Sequence, residues 1–183
     1  MAISPETYER VALEDGDEQW ELVCGRLRKK PGMTAEHSDT ITNLSDALTA
    51  QLDRAAYRVH VNLSRLRVAD DRFYVPDLVV LPQEYRLRAL RERPRQLEVY
   101  SEPLPLVVEV WSPSTGAYDV NTKLPEYQRR GDLEIWYIHP YDRTLTAYRR
   151  QPDGTYSTTV YREGAVEPAA LPGVRIALAA LFE

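Results

Sequence analysis

Leu106-Val107-Val108-Glu109-Val110-Trp111 is one of the most apolar runs in this chain, and it carries a carboxylate at its fourth position. Ser112-Pro113-Ser114 closes it. The run is far short of the roughly 20 residues of a membrane span and reads as a buried strand. An ionised carboxylate there loses hydration worth several kcal/mol unless a cation or hydrogen-bond donors replace the water. Glu109 is therefore the first candidate for chemistry. Asp77, in Tyr74-Val75-Pro76-Asp77-Leu78-Val79-Val80, and Lys123 flank it in sequence. Two acids and a lysine point to metal-assisted phosphodiester cleavage.

Outward from this strand, the pattern alternates between helix and strand. Residues 5–13 form a short expected helix, with Ser4 as N-cap and Pro5 at the first helical position. Asp15-Gly16-Asp17 breaks it, and residues 20–27 read as strand, turn and returning strand. From residue 34 to about 54, His37, Ile41, Leu44, Leu48 and Leu52 recur at helical spacing, with Thr34 as cap. Residues 57–63 and 66–68 alternate like strands. Residues 73–81 read as another strand, interrupted by Pro76, which marks an edge, a bulge or a strand start. Residues 82–105 are less regular and read as a short helix or an insertion.

After the Glu109 strand, residues 112–118 read as a loop. A helix is expected from about 122 to 130, ended by Gly131. Pro125 should lie in its first turn, which puts Lys123 near the helix start. Residues 134–138 form the next strand. Residues 145–149 and 155–161 make a hairpin around Pro152-Asp153-Gly154, and 176–182 a final short helix. The order predicts an α/β or α+β fold around a mixed β-sheet.

At 183 residues the chain fits one domain, 1–183, that can bury a full core. Apolar and charged fractions of 43% and 28% are those of an ordinary globular protein. The first residues lack the basic start and apolar core of a secretory signal. No membrane association is expected, and the single cysteine, Cys24, permits neither an intrachain disulfide nor a thiolate metal cluster. A cytoplasmic protein is the economical reading. The net charge of −5 argues against coating nucleic acid nonspecifically, but leaves room for an enzyme that meets phosphates through a local patch and a bound cation.

Magnesium takes oxygen ligands and keeps several waters, so one or two carboxylates suffice to hold it. The ion polarises a phosphoryl oxygen and lowers the pKa of bound water, while a nearby lysine orients the attacking water or offsets developing charge. Each residue also has a bland explanation. Asp77 follows a proline and fits a surface turn. Glu109 fits a structural pair with a buried arginine. Lys123 lies four residues after Asp119, the spacing of an ordinary helical ion pair, and Glu21 fits an exposed strand.

Taken in order, the motifs narrow the choice. Glu21 with Gly25, His37 opening a helix, Pro76-Asp77-Leu78-Val79-Val80 and Val108-Glu109-Val110-Trp111-Ser112-Pro113-Ser114-Thr115 follow one another. Asp119, Lys123-Leu124-Pro125, Tyr127, Gly131, Glu134 and Trp136 come after them. From about residue 8 to 140 this series resembles the Uma-type restriction endonucleases of bacteria, a branch of the PD-(D/E)XK nuclease superfamily.

The resemblance implies a restriction-endonuclease-like core of helix, three strands, helix and strand. It also implies a Mg²⁺-dependent DNA endonuclease, a hydrolase in which Mn²⁺ substitutes, acting as a homodimer. Asp77, Glu109 and the backbone carbonyl of Val110 would bind the ion, with Asp77, Glu109, Lys123 and Glu21 catalytic and Glu21 a further acidic position reaching the metal directly or through water. The superfamily's usual E-x-K motif has its lysine two residues after the glutamate; here Trp111 stands there, and the resemblance moves the lysine to Lys123. Asp132, where the family is usually aliphatic, and His139, where aspartate is common, are further departures. The loss of the E-x-K lysine also motivates an alternative: a noncatalytic nucleic-acid-binding or assembly module that keeps the nuclease fold.

Other chemistries fit poorly. His37, His60 and His139 lack zinc-ligand spacing, Ser112 and Ser114 lack a histidine–acid partner, and no glycine-rich phosphate loop occurs. His37 reads as structural and Tyr127 as a packing residue. Two basic groups, residues 86–95 with five arginines and Arg26, Arg28, Lys29 and Lys30, read either as phosphate contacts or as solvated faces.

Overall fold

A computed structural model describes residues 2–16 and 18–183; Asp17, the last residue of the expected helix break, lies outside the described residues. Helix α1 (Pro5–Glu14) begins where Ser4 caps the amide of Thr7. Strands β1 (Trp20–Val23) and β2 (Arg26–Lys29) pair as a hairpin. Its two-residue turn, Cys24-Gly25, has positive φ at both positions, which matches the right-handed twist of the strands. Helix α2 (Ala35–Gln51), capped by Thr34, follows. Then come β3 (Tyr57–Val61), β4 (Arg65–Ala69), β5 (Arg72–Tyr74), β6 (Leu78–Pro82), α3 (Gln83–Glu92), β7 (Val99–Tyr100) and β8 (Leu106–Val110).

The stretch expected as one strand across Pro76 is two strands in two sheets. β5 lies in a five-stranded sheet ordered β2-β1-β5-β4-β7, while β6 lies in a six-stranded sheet ordered β11-β10-β9-β8-β6-β3. Pro76 has no N–H to offer a ladder, so the chain leaves one sheet there and enters the other. The remaining strands of the larger sheet are β9 (Glu134–His139), β10 (Thr144–Arg150) and β11 (Tyr156–Tyr161). β8 and β9 run parallel; the other neighbours are antiparallel. Along α2, β3, β6, β8, the 116–130 helix and β9, the order is helix, three strands, helix, strand, with β4 and β5 an excursion into the second sheet.

Side-chain alternation on the central strands builds two cores. Val108, Val110, Leu78 and Val80 face α2 through Ile41, Leu44 and Leu48. Val107, Val79, Ile135 and Tyr137 face Leu124 and Tyr127, together with Leu66 and Tyr74 of the second sheet. Glu109 shares the parity of Val107 and so belongs to this second layer. Among the described residues, no helix is long and apolar enough to cross a membrane.

Two other expectations change. Residues 116–130 are helical throughout: α4 (Gly116–Tyr118), a π-helical turn (Asp119–Lys123) and α5 (Leu124–Arg130), closed by Gly131 in the left-handed conformation. Lys123 is therefore mid-segment rather than at a helix start. The Leu124 amide reaches back five residues to the Asp119 carbonyl. This wider turn meets Pro125, whose missing N–H makes a regular α-turn there incomplete. At the C-terminus the expected helix is mostly absent. β12 (Ala165–Val166) and β13 (Ile176–Ala177) pair first, and only Ala179–Phe182 turns helically, as 3-10.

Gly116 begins α4 directly against Trp111. A Cβ at Gly116 would lie 2.0 Å from the indole Nε1, closer than atoms can approach. Gly116→Ala is expected to destabilise the fold by about 1–3 kcal/mol. In thermal or chemical denaturation, most of that loss should vanish when Trp111→Ala is added, because the two changes share one contact.

Candidate active site

Pro76 determines where the site forms. The residues on either side of it, Val75 and Asp77, each hold one carboxylate system in place. The Val75 amide donates to Glu21 Oε1 at 3.0 Å, tying β1 of the smaller sheet to the crossover. Asp77 Oδ2 accepts from the Val110 amide at 2.7 Å, tying the crossover to the residue after Glu109. The sheet change thus brings Glu21, Asp77 and Glu109 to one place although 88 positions separate the first from the last.

Lys123 reaches this place from the π-helical turn. Its Nζ lies 2.9 Å from Glu21 Oε1, 3.1 Å from Glu109 Oε1 and 3.2 Å from Asp119 Oδ1. One helical turn further, the Tyr127 hydroxyl donates to the same Glu109 oxygen at 2.6 Å. All four carboxylates and Lys123 are at most 3% exposed. A second ammonium serves Asp77. Lys30 Nζ lies 2.8 Å from Asp77 Oδ1 and also donates to Val75 O and the Asn62 side chain. His37 Nε2 lies 3.2 Å from Asp77 Oδ2, and its buried Nδ1 has no hydrogen-bond partner among the described residues.

The structure therefore gathers the four side chains singled out in the sequence and adds Lys30, His37, Asp119 and Tyr127. Tyr127 packs in the core as its pattern suggested, but its hydroxyl also serves Glu109. His37 touches Asp77 as well as opening α2. Lys30 was visible only as part of a basic run, and nothing in the local pattern distinguished it from Lys29, which pairs with Glu18 at the surface. For Val110, the amide contact to Asp77 is the defined one. At the E-x-K position, Trp111 stacks on His139 with ring centroids 4.4 Å apart.

Charge and burial compete throughout. Burial pushes the Glu109 carboxyl up to about 8; Lys123 pulls it back, while Asp119 and Asp77 push it further. Burial also pushes Asp77 up, but Lys30 and His37 outweigh it and hold that carboxyl well below its usual range. Burial disfavours the Lys123 ammonium, yet Glu109, Glu21 and Asp119 hold its pKa well above the usual lysine value. Asp119 is raised by burial, against the pull of Lys123.

The donor set suits a hard divalent ion. Four carboxyl groups, of which Glu109 keeps its proton up to about pH 8 in the metal-free site, line the cleft with two ammoniums and the Arg28 guanidinium, and all the anionic donors are oxygens. The cleft they line has room for about 20 Å³, enough for an ion or a water but not a nucleotide. Among the described residues, no three His, Cys, Asp or Glu are arranged as a ready-made metal cage. What fits is an ion held by one or two carboxylates with water completing its shell.

The sequence model of the Uma2 family, described as "putative restriction endonuclease", matches residues 5–179. The chain belongs to the Uma2 family. Its fold is also that of a solved structure described as a putative nuclease belonging to DUF820 from Anabaena variabilis ATCC 29413. That similarity has a TM-score of 0.72 at 21% sequence identity, over 90% of this chain and 89% of the other. No curated protein matches the chain. In this Uma2 protein, an indole fills the place two residues after the strand glutamate, and the lysine arrives from the neighbouring helix.

Two consequences are measurable. Lys123→Met leaves Glu21 and Glu109 buried without their shared cation and is expected to cost about 3–5 kcal/mol in denaturant unfolding. Adding Glu109→Gln should recover part of that loss. The second concerns pH. Glu109 titrates at about 8 when folded, against 4.5 ordinarily, so between these values the folded state holds the extra proton. Its contribution to stability is full below pH 4.5 and is lost as pH rises through 8. In metal-free protein, Glu109→Gln should flatten the fall of stability between pH 5 and 8 by up to about one proton. An unchanged slope would contradict this environment for Glu109.

Proposed function

We propose that this protein is a Mg²⁺-dependent DNA endonuclease, a single domain in which Asp77 and Glu109 hold the ion and Lys123 serves the attacking water. The observation that carries the reading is the convergence of Asp77, Glu109 and the Lys123 ammonium on one small, oxygen-lined cleft. Membership of a family described as restriction endonucleases supports the choice of reaction.

When bound, the ion would polarise the scissile phosphate and acidify a coordinated water. The chain's own residues supply the rest. Asp77 is held ionised by Lys30 and is oriented by the Val110 amide, so it is ready to accept a cation at neutral pH. Glu109 presents one oxygen to Lys123 and Tyr127; its other oxygen accepts no hydrogen bond among the described residues. Lys123 is held by three carboxylates, which keep it charged and fix its amine beside the cleft. An ammonium so placed orients water and offsets negative charge developing at phosphate. Glu21 acts through Lys123 as a positioning residue. The Val110 carbonyl would complete the protein ligands, and Mn²⁺ would replace Mg²⁺. Two copies of this site in a homodimer would allow both strands of a duplex to be cut together, and the location proposed is the cytoplasm.

A second reading has its own observation. Lys30 and Lys123 already neutralise Asp77 Oδ1 and Glu109 Oε1, which is how a buried cluster kept for folding alone would be satisfied. Calorimetric titration with Mn²⁺ and assays on duplex and single-stranded DNA separate the two. The nuclease reading expects ion binding that is lost in Asp77→Ala, and metal-dependent cleavage that falls to background in a folded Glu109→Gln protein. Absence of both ion binding and cleavage in the parent protein favours the noncatalytic module.

A further inference from the structure

Arg28 lines the same cleft but plays none of the roles described so far. Directly across the β1–β2 ladder it faces Glu21, so the two side chains leave the hairpin on one side. A guanidinium beside four buried carboxylates would be expected to pair with one of them. It does not. Glu21 is taken by Lys123 and the Val75 amide, Asp77 by Lys30, Glu109 by Lys123 and Tyr127, and Asp119 by Lys123. Among the described residues, Arg28 forms no ion pair with a carboxylate; the side chain it meets is that of Tyr118. Its neighbours in the basic run differ: Lys29 pairs with Glu18, Lys30 with Asp77, and Arg26 is exposed.

What Arg28 does have is a flat support. Its guanidinium carbon lies 3.4 Å from the centre of the Tyr118 ring. Stacking of this kind uses the face of the guanidinium and leaves N–H donors in its plane for an anion. Tyr118 belongs to α4, immediately before the π-helical turn that delivers Asp119 and Lys123. The cation is thus held in place by the same segment that carries the catalytic lysine. A rigid, charged fork with open donors at the edge of an acidic cleft matches the geometry of a phosphate oxyanion, which accepts such forks bidentately.

Building on the nuclease reading, we infer that Arg28 is the phosphate anchor of the cleft, gripping a DNA backbone phosphate at or beside the scissile bond. It resolves an electrostatic difficulty in that reading. A carboxylate-lined cleft repels a polyanion, and Arg28 is the cleft cation whose charge is not already committed to a carboxylate.

The test uses the full chain and a fluorescently labelled duplex DNA oligonucleotide, with Ca²⁺ present and the duplex checked for integrity after each titration. Affinity is measured between 50 and 200 mM salt for the parent, Arg28→Gln and Arg28→Lys. A phosphate contact releases counterions, so loss of one reduces the slope of log K against log salt by about 0.9 on duplex DNA. Arg28→Gln is expected to show that reduction with roughly tenfold weaker binding, while Arg28→Lys keeps the slope and loses part of the affinity. Mn²⁺ binding, measured separately, should be intact in both variants. Parent-like slope and affinity in Arg28→Gln would overturn the inference and leave the nuclease reading standing. A parent that binds no DNA in a salt-dependent way would remove both.

Discussion

One buried ammonium holds this architecture together. Lys123 meets Glu21 from the smaller sheet, Glu109 from the centre of the larger sheet and Asp119 from its own helical turn. Burial of a lone carboxylate or a lone ammonium costs several kcal/mol, so no one of these groups could be kept there without the others. The contact therefore does more than neutralise charge. It fixes how the second sheet, the central strand and the connecting helix stand to one another. Tyr127 and the Val75 amide complete the set of donors.

The same constraint explains the departures from regular structure. Pro76 breaks the ladder where the chain must pass between sheets, and its two neighbours tie the crossover to the site, Val75 through Glu21 and Asp77 through the Val110 amide. The π-helical turn absorbs Pro125 and carries both Asp119 and Lys123. Gly116 leaves room for the indole of Trp111, which occupies the place a lysine takes in an E-x-K strand. Irregularity is concentrated where charged groups converge, whereas the outer β9–β10–β11 ladder keeps an unbroken register. Strain and unusual turns commonly gather at functional sites for this reason.

Much of this was legible in the sequence because it rests on local rules. The α2 stripe, the Cys24-Gly25 hairpin and the Gly131 stop each follow from periodicity, turn chemistry or capping, and Glu109 announced itself as a charge in an apolar strand. What stayed hidden depends on distant pairing. Residues 73–81 look like one strand because their apolar pattern is continuous; only the partners of each half reveal two sheets. Lys30 and Lys29 are indistinguishable locally, yet one ends on buried Asp77 and the other on exposed Glu18. The start of the 116–130 helix was missed because Pro125 normally lies in a first turn, and a π-helical turn is rare. The C-terminal residues 176–182 have helical composition, but pairing of β13 with β12 wins for the first two.

If Asp77 and Glu109 hold a divalent ion, the cleft must admit it between them without displacing Lys123 from the site. Crystals soaked in Mn²⁺ and measured for anomalous scattering test it most directly. An ion held there gives one strong peak within about 2.5 Å of oxygens of both Asp77 and Glu109, with the Lys123 amine still beside Glu109. A map with no peak in the cleft, with Lys30 and Lys123 still covering both carboxylates at saturating Mn²⁺, would contradict it.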